Sequence, residues 1–131
     1  MTTPIAVGWA TVELERAVEE LQDRLVPGTA FRPAPDSELL GARGLVGDLA
    51  SPIDGAMRLV LLEPTTEGRL AATLARHGEG WCATWLDGAD PDVATPLMTA
   101  RPGPFGLERL VGGGAIAGPH RLVVTAATIG A

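Results

Sequence analysis

Hydrophobic side chains in the first half of the chain follow the spacing of a strand, then of a helix, then of three further strands. The run at residues 4–12 alternates in a way typical of a strand buried on both faces. Apolar positions then recur every three or four residues, which predicts a helix that ends at the sequence VPG of residues 26–28. Two short strands near residues 30–32 and 42–50 and the apolar run MRLVLLE at residues 57–63 complete a β-α-β-β-β unit.

The second half repeats this order in a reduced form. Residues 65–78 predict a connector helix, with Thr65 or Thr66 as its N-cap and Gly78 as the left-handed residue after its end. After this helix the sequence predicts a strand from residue 80 and a short helical stretch at 93–99 that prolines interrupt. Two last strands are predicted at 107–111 and 121–128.

These two runs of elements define the expected organisation. We expect one α+β domain over residues 1–131. It is divided into module one at about 4–64, a connector helix at about 65–78 and module two at about 80–131. The helix of the second module is predicted to be short because prolines interrupt its pattern.

Composition narrows the classes of partner. The net charge is −6, and all ten basic residues are arginines scattered along the chain. Nucleic acid is excluded as a partner, because binding a phosphate backbone needs clustered positive charge. No apolar run is long enough to cross a bilayer and the N-terminus lacks a basic leader region, so we expect no membrane association and a cytoplasmic location. Cys82 is the one cysteine, which rules out an internal disulfide.

Three stretches resemble a known superfamily. The sequence VLLEP at residues 60–64, a short helix, and LARHGEG at residues 74–80 are similar to the join between the modules in methylmalonyl-CoA epimerase-like members of the vicinal-oxygen-chelate superfamily, which includes glyoxalases and bleomycin-resistance proteins. The opening GWATVELERAVEEL at residues 8–21 also resembles their first strand and helix. The resemblance implies two βαβββ modules that form a half-barrel around a cleft, usually in a homodimer, with metal ligands on the concave face.

The positions that the resemblance assigns to metal ligands hold unsuitable residues. They are Ala6, Val60, Ala83 and a position near Thr125. A divalent cation needs three or four nitrogen, oxygen or sulfur donors, which this set does not supply. Cys82, which is next to Ala83, could add one thiol donor and a histidine a second, but two donors are still too few for a metal site. We therefore expect neither a metal nor any other cofactor.

The same register predicts what lines the cleft instead. Trp81 and Trp85 are expected to point inward with Ala83, since side chains alternate along a strand. They would face a wall of small side chains that includes Ala6, with Val60 beside it. This shape suits a flat apolar or aromatic ligand stacked on indole rings. The alternative is that both tryptophans belong to the core or to a dimer interface.

Three further residues are candidates for ligand contacts. Arg58 shares the predicted face of Val60 and is a candidate to bind an anionic group, and Arg43 is a second one from a neighbouring strand. The alternative is that both are ordinary surface arginines. Phe105, in the turn PGPFG of residues 102–106, is a candidate lid over the cleft.

Candidate acid–base residues are Glu63, Glu108 and His120. Glu63, which stands before Pro64, has the alternative role of orienting the connector helix. His120 has that of a turn residue. No serine or cysteine nucleophile can be placed beside a histidine, so a catalytic triad has no support.

These observations favour a metal-free protein that binds and sequesters a small apolar or aromatic compound, without catalysis. The alternative is a lyase or isomerase of the glyoxalase and epimerase type, which acts next to a carbonyl. A regulatory or assembly subunit is a third hypothesis, and it predicts that side chains already fill the cleft.

Overall fold

A computed structural model describes residues 4–88, 100–111 and 120–124. In these ranges the chain forms strands, two α-helices and one short 3-10 helix at Gln22–Arg24. The elements in chain order are β1 Pro4–Ala10, α1 Leu14–Leu21, β2 Arg32–Ser37, β3 Ala42–Ile53, β4 Ala56–Pro64, α2 Arg69–His77, β5 Gly80–Asp87, β6 Arg101–Gly103, β7 Gly106–Val111 and β8 His120–Val124.

The strands form one eight-stranded sheet in the order β2-β3-β4-β1-β5-β8-β7-β6. In the first half β1 is parallel to β4, and in the second half β5 is parallel to β8. The two halves join through the antiparallel pair β1 and β5. The predicted α+β class and paired half-barrel architecture are confirmed, while the helical stretch predicted at residues 93–99 lies outside the described residues. Within those residues, neither α-helix has the length and apolar content that a membrane crossing needs.

Helix α1 covers the outer face of the first half of the sheet. Its buried residues are Leu14, Ala17 and Leu21, which are spaced three and four apart and so form one stripe. This stripe packs against outward side chains of β1 and β4 such as Val7 and Leu61. The apolar residues that predict this helix therefore form the face that it buries against the sheet.

Two distant carboxylates satisfy the backbone at the start of α1. Glu13, the N-cap residue, makes no side-chain capping hydrogen bond. Instead Leu14 N donates to Glu63 Oε2 at 3.0 Å, and Val12 N donates to Glu79 Oε2 at 2.9 Å. Negative charge is favourable there because helix N-termini carry unpaired N–H groups and a partial positive charge.

Helix α2 begins later than the sequence predicts. Gly68 is its N-cap in place of Thr65 or Thr66, and Leu70 N donates to Leu40 O at 2.9 Å. That tertiary bond fulfils the role for which a threonine side chain is normally used, so the local capping signal was misleading. The helix ends at His77, and Gly78 follows it at the predicted position. Its φ of 76° favours glycine, but its ψ of −172° differs from the left-handed helical conformation that the sequence predicts.

The two edge strands of the sheet approach each other and nearly close it. Glu38 N donates to Pro102 O at 3.1 Å, which links the end of β2 to β6. Strand β6 is a correction, because the sequence predicted only a turn at residues 102–106. A three-residue strand containing proline has no periodic signal of its own and depends on its partner β7. Inside the near-barrel lies an apolar core that includes Leu40, Leu62 and Leu122.

A β-bulge separates the two tryptophans of β5. The pairing runs Gly8 with Ala83 but Trp9 with Trp81, so β5 contains one extra residue at this point. An extra residue reverses which face the following side chains occupy. Trp81 therefore packs on the outer side, edge-on to Trp9 at 4.9 Å between ring centroids, and the prediction that it shares a face with Trp85 is wrong.

The indole of Trp85 lies inside the barrel on a floor of small residues. It is fully buried, and a Cβ added to Gly8 would lie only 2.8 Å from Trp85 Cζ3. That separation is shorter than nonbonded carbon atoms tolerate. The room for this ring therefore exists because position 8 has no side chain.

We predict that Gly8→Ala lowers the free energy of unfolding by about 1–3 kcal/mol through overpacking against Trp85. Chemical denaturation monitored by circular dichroism measures it. In a Trp85→Phe background the smaller ring relieves the clash, so the same Gly8→Ala change should have a clearly smaller effect. An equal loss in both backgrounds would show that the indole does not set the limit at position 8.

Candidate active site

A buried carboxylate joins three strands inside the barrel. Glu108 of β7 is fully buried. Trp85 Nε1 of β5 donates to its Oε1 at 2.9 Å, and Ser37 Oγ of β2 donates to its Oε2 at 2.6 Å. The two donors come from opposite halves of the chain, so the site exists only when the sheet has closed.

Burial raises the pKa of Glu108 to about 7, and the hydrogen bonds from Ser37 and Trp85 oppose this increase. Desolvation dominates because an ionised carboxylate loses more than its neutral form when water is removed. A carboxyl group with a pKa near neutrality is present in both forms at pH 7. It can accept a proton and return it, which is the requirement for acid–base catalysis.

The hairpin of β6 and β7 covers this carboxylate. A Cβ on Gly103 would overlap the Glu108 carboxyl group, so only glycine fits at that position. At the hairpin tip, the half-buried ring of Phe105 lies edge-on to Trp85 at 5.8 Å between centroids. The guanidinium of Arg58 lies 5.8 Å from the centre of the same ring. Phe105 thus lies between Glu108's indole donor and an arginine at the barrel mouth.

The small residues predicted to line an open cleft are buried beneath other side chains. Ala6, Val60 and Ala83 are all buried members of the inner core, together with Trp85. Trp81 is 47% exposed on the other side of the sheet, where Arg24 lies 6.0 Å from its ring centre. The inner face therefore brings together Trp85, Phe105 and Glu108 but leaves Trp81 outside.

The residues at the expected metal positions do not fit a metal ion. Ala6, Val60 and Ala83 carry no donor atom, and Thr125 lies outside the described residues. Among residues 4–88, 100–111 and 120–124 no three histidine, cysteine, aspartate or glutamate side chains converge. Burial raises the pKa of the Cys82 thiol to about 12, so it is held as a neutral thiol that donates to Gly8 O at 3.5 Å.

The other two acid–base candidates lie away from Glu108. Glu63 accepts from Leu14 N and also from Arg43, whose Nε lies 2.9 Å from its Oε1. It acts at the start of α1, on the far side of the sheet from Glu108. Arg43 therefore forms an ion pair with Glu63, although its side chain is 56% exposed.

His120 is a buried residue at the α2 end of the barrel. Its Nε2 lies 2.9 Å from Thr73 Oγ1, and burial together with the charge of Arg69 lowers its pKa. Along β8 it pairs with Ala83, whereas Glu108 pairs with Val124, four residues further on. At about 3.3 Å per residue this separates the two backbone positions by roughly 13 Å, so His120 and Glu108 are not partners.

Sequence reasoning missed Ser37, which completes the site. The residue stands at the end of β2, where its hydroxyl also accepts a bond from Leu40 N at 3.3 Å. The local signal is that of a turn-forming serine. No pattern in the sequence connects position 37 with position 108, because their contact depends on closure of the sheet.

The strand order, the parallel pairs in each half and the concave inner face define the fold of the vicinal-oxygen-chelate superfamily, and the recognition made from the sequence is confirmed. The solved structures that it matches include methylmalonyl-CoA epimerases. One is a variant of the Streptomyces coelicolor enzyme in complex with 2-nitronate-propionyl-CoA, at 26% identity over 97% of this chain and 99% of that chain, with a TM-score of 0.69. A second, in complex with methylmalonyl-CoA and NH4+, is 25% identical over 98% of this chain and 97% of that chain, with a TM-score of 0.71.

A third match supports the fold alone. The Mycobacterium tuberculosis methylmalonyl-CoA epimerase is 21% identical over 95% of this chain and 88% of that chain, with a TM-score of 0.71. No protein-family profile matches the sequence, and no curated protein matches it either.

These structures correct one expectation. The sequence favoured a sequestering protein without catalysis, and that preference for a non-enzyme is wrong. The methylmalonyl-CoA epimerases that it matches over nearly their whole length are enzymes, which points to an enzyme here as well. The absence of metal ligands does not imply the absence of chemistry, because burial gives Glu108 an acid–base capacity that the sequence pattern does not reveal.

We predict that wild-type protein loses stability relative to Glu108→Gln as the pH rises from 4.5 to about 7, the limits set by the ordinary and raised pKa of this group. In that window the folded state keeps the Glu108 proton and the unfolded state has lost it, so raising the pH favours unfolding. The difference should reach at most about 3 kcal/mol and stay constant above pH 7.

Urea unfolding of both proteins across this pH range measures the difference. The comparison cancels the opposite contribution of His120, whose lowered pKa removes stability as the pH falls below its ordinary value of 6.5. Parallel stability curves for the two proteins would show that Glu108 titrates as an ordinary carboxyl group.

Proposed function

We propose that this chain is an isomerase of the epimerase type, which moves a proton at a carbon next to a carbonyl, with Glu108 as the acid–base residue. The observation that carries the proposal is the buried Glu108 carboxyl group, held by Trp85 and Ser37 with a pKa of about 7. The enzymatic nature of the matched structures supports it.

The proposed chemistry uses both forms of Glu108. The carboxylate removes the proton from one face of the carbon and leaves an enolate. The resulting carboxylic acid returns a proton to the opposite face after the enolate has turned in the site, which inverts the configuration. Ser37 and Trp85 hold both carboxyl oxygens, so the carboxyl group keeps one orientation throughout. No step is assigned to a metal ion, since Ala6, Val60 and Ala83 offer none of the donors that the superfamily resemblance implies.

Substrate reaches Glu108, in this proposal, by displacement of the β6–β7 hairpin tip. Phe105 is the half-buried residue that separates the barrel mouth from Trp85. The hairpin has weak attachments, because β6 is only three residues long and joins β2 through the Glu38 to Pro102 backbone bond. Loops and hairpins of this kind commonly open to admit a substrate and close to exclude water.

We propose acyl thioesters of coenzyme A as the substrate class. The matched epimerases were solved with methylmalonyl-CoA and with 2-nitronate-propionyl-CoA. A thioester carbonyl makes the neighbouring carbon acid enough for a carboxylate base. The expected homodimer stays a prediction, and so does the expected affinity for apolar or aromatic compounds.

Deuterium uptake tests the reaction class directly. The protein is incubated in D2O with methylmalonyl-CoA and a panel of other acyl-CoA thioesters, and mass spectrometry follows the gain of one deuterium at the carbon beside the carbonyl. We expect wild type to catalyse uptake for at least one thioester and Glu108→Gln to be slower by a factor of about 100 or more. Glu67→Gln changes an exposed glutamate outside the site and should leave the rate unchanged.

The pH profile provides a second readout. The rate should rise with pH and level off above about 7, because only ionised Glu108 removes a proton. Ser37→Ala removes a hydrogen bond that lowers this pKa, so its inflection should move to higher pH. Absence of exchange with the whole panel, or equal rates for wild type and Glu108→Gln, would refute the proposal.

A further inference from the structure

A cavity of about 170 Å³ lies on the outer face of the sheet, on the opposite side from the candidate active site. Val7 and Thr84, which pair where β1 meets β5, lie at its base. Trp81 and the tip of the β3–β4 hairpin at Ile53 and Asp54 also line it. The volume is below the roughly 300–1,000 Å³ of drug-sized ligand sites, so the cavity suits one small chemical group.

Trp81 contributes an indole ring to this cavity. The residue is 47% exposed, and Trp9 packs against its ring at 4.9 Å between centroids with the two planes at 89°. This contact fixes the orientation of the ring before a ligand arrives, which lowers the entropy that binding would cost. Of the aromatic side chains, the indole has the face that attracts a cation most strongly.

Arg24 shows that the Trp81 ring already receives a cation. Its guanidinium lies 6.0 Å from the ring centre, at the outer limit of a cation–π contact. The Arg24 side chain is exposed at the end of the short 3-10 helix. A long contact in solvent is weak, so a cation that lies closer to the ring can displace it.

Asp54 adds a negative charge to the cavity wall. It lies at the tip of the β3–β4 hairpin with a φ of 51°, and Gly55 follows with a φ of 90°. Among the residues that the structure describes, Asp54 takes part in no ion pair. Its carboxylate is therefore available to a ligand, and together with the indole it favours a cation over an anion.

We propose that this cavity binds a small organic cation, an ammonium ion that carries methyl or other alkyl groups, against Trp81 with Asp54 as its counter-ion. The alkyl groups contact the apolar side chains of Val7 and Ile53. A metal ion does not suit the same place, because these side chains supply no donor atoms. The binding is independent of the proposed function, since the sheet separates this cavity from the candidate active site.

A nitrogen-15 NMR titration with choline chloride tests the binding. The chain has three tryptophans, so the spectrum contains only three indole N–H signals, and Trp81→Phe identifies the one from Trp81. We expect the Trp81 signal to shift and to saturate. The Trp85 signal should not move, because that ring is buried on the inner face. The uncharged isostere 3,3-dimethyl-1-butanol, which has carbon in place of nitrogen, should cause no saturable shift.

Two variants change the affinity in opposite directions. Asp54→Asn removes the charge but tolerates the same positive φ, so the turn is kept and we expect binding about threefold weaker or more. Arg24→Gln removes the competing cation from the ring and should bind choline about twofold more tightly or more. A positioning role of Arg24 within the site would give the opposite sign.

Controls account for the change in net charge. Glu67→Gln and Arg76→Gln alter exposed residues near and on α2 by the same charge as Asp54→Asn and Arg24→Gln, and both should bind like wild type. The proposal is overturned if the isostere binds as well as choline, if Asp54→Asn matches Glu67→Gln, or if Arg24→Gln does not bind more tightly than Arg76→Gln. A Trp81 signal that moves when the protein alone is diluted would also overturn it, because a second copy of the chain would then occupy this face.

Discussion

The hydrogen bond from the Trp85 indole to the Glu108 carboxylate is the interaction on which the rest of the inner structure depends. A buried indole N–H needs an acceptor, and here it finds a carboxyl group that is itself fully buried. A buried carboxylate in turn needs a second donor, which Ser37 provides from the opposite edge of the sheet. Placement of one ring therefore requires that the two edges meet.

The same ring explains the composition of the floor beneath it. Gly8 cannot carry a side chain without meeting the indole, and Ala83 lies in the same layer. The superfamily resemblance assigns metal ligands to positions on this face, but in this chain the face is a packed core under Trp85. Loss of the metal donors and gain of a buried, near-neutral glutamate are thus two aspects of one arrangement. Under the proposed function, Glu108 carries out the acid–base chemistry next to a carbonyl without metal ligands.

Regular elements were predictable wherever burial follows a period. Helix α1 and strands β1, β4 and β5 were predictable because the spacing of apolar residues in each segment identifies its buried face. The predicted face of Trp81 is wrong because one extra residue in β5 reverses which face the side chains occupy. The apolar pattern of the sequence does not reveal such a bulge. The predicted start of α2 is wrong because the Leu40 carbonyl, not a nearby threonine side chain, accepts the Leu70 N–H in the first turn.

The candidate site was predictable only in part, for a different reason. Glu108 was among the candidate acids, but its partner Ser37 is 71 residues away, and only closure of the sheet brings them together. Glu63 was an equal candidate by residue type and turned out to stabilise the start of α1. Residue type identifies carboxylates as candidate acid–base groups, but long-range packing determines which of them is buried away from water.

The central claim is that Glu108 holds its proton near neutral pH, and a carbon-13 NMR titration of its side-chain carboxyl carbon tests it most directly. Glu108→Gln identifies the signal by its disappearance. The structure predicts an inflection near pH 7, in accord with the burial that raises the pKa to about that value. An inflection near the ordinary value of 4.5 would contradict it, because the carboxyl group would then be solvated and ionised throughout the neutral range.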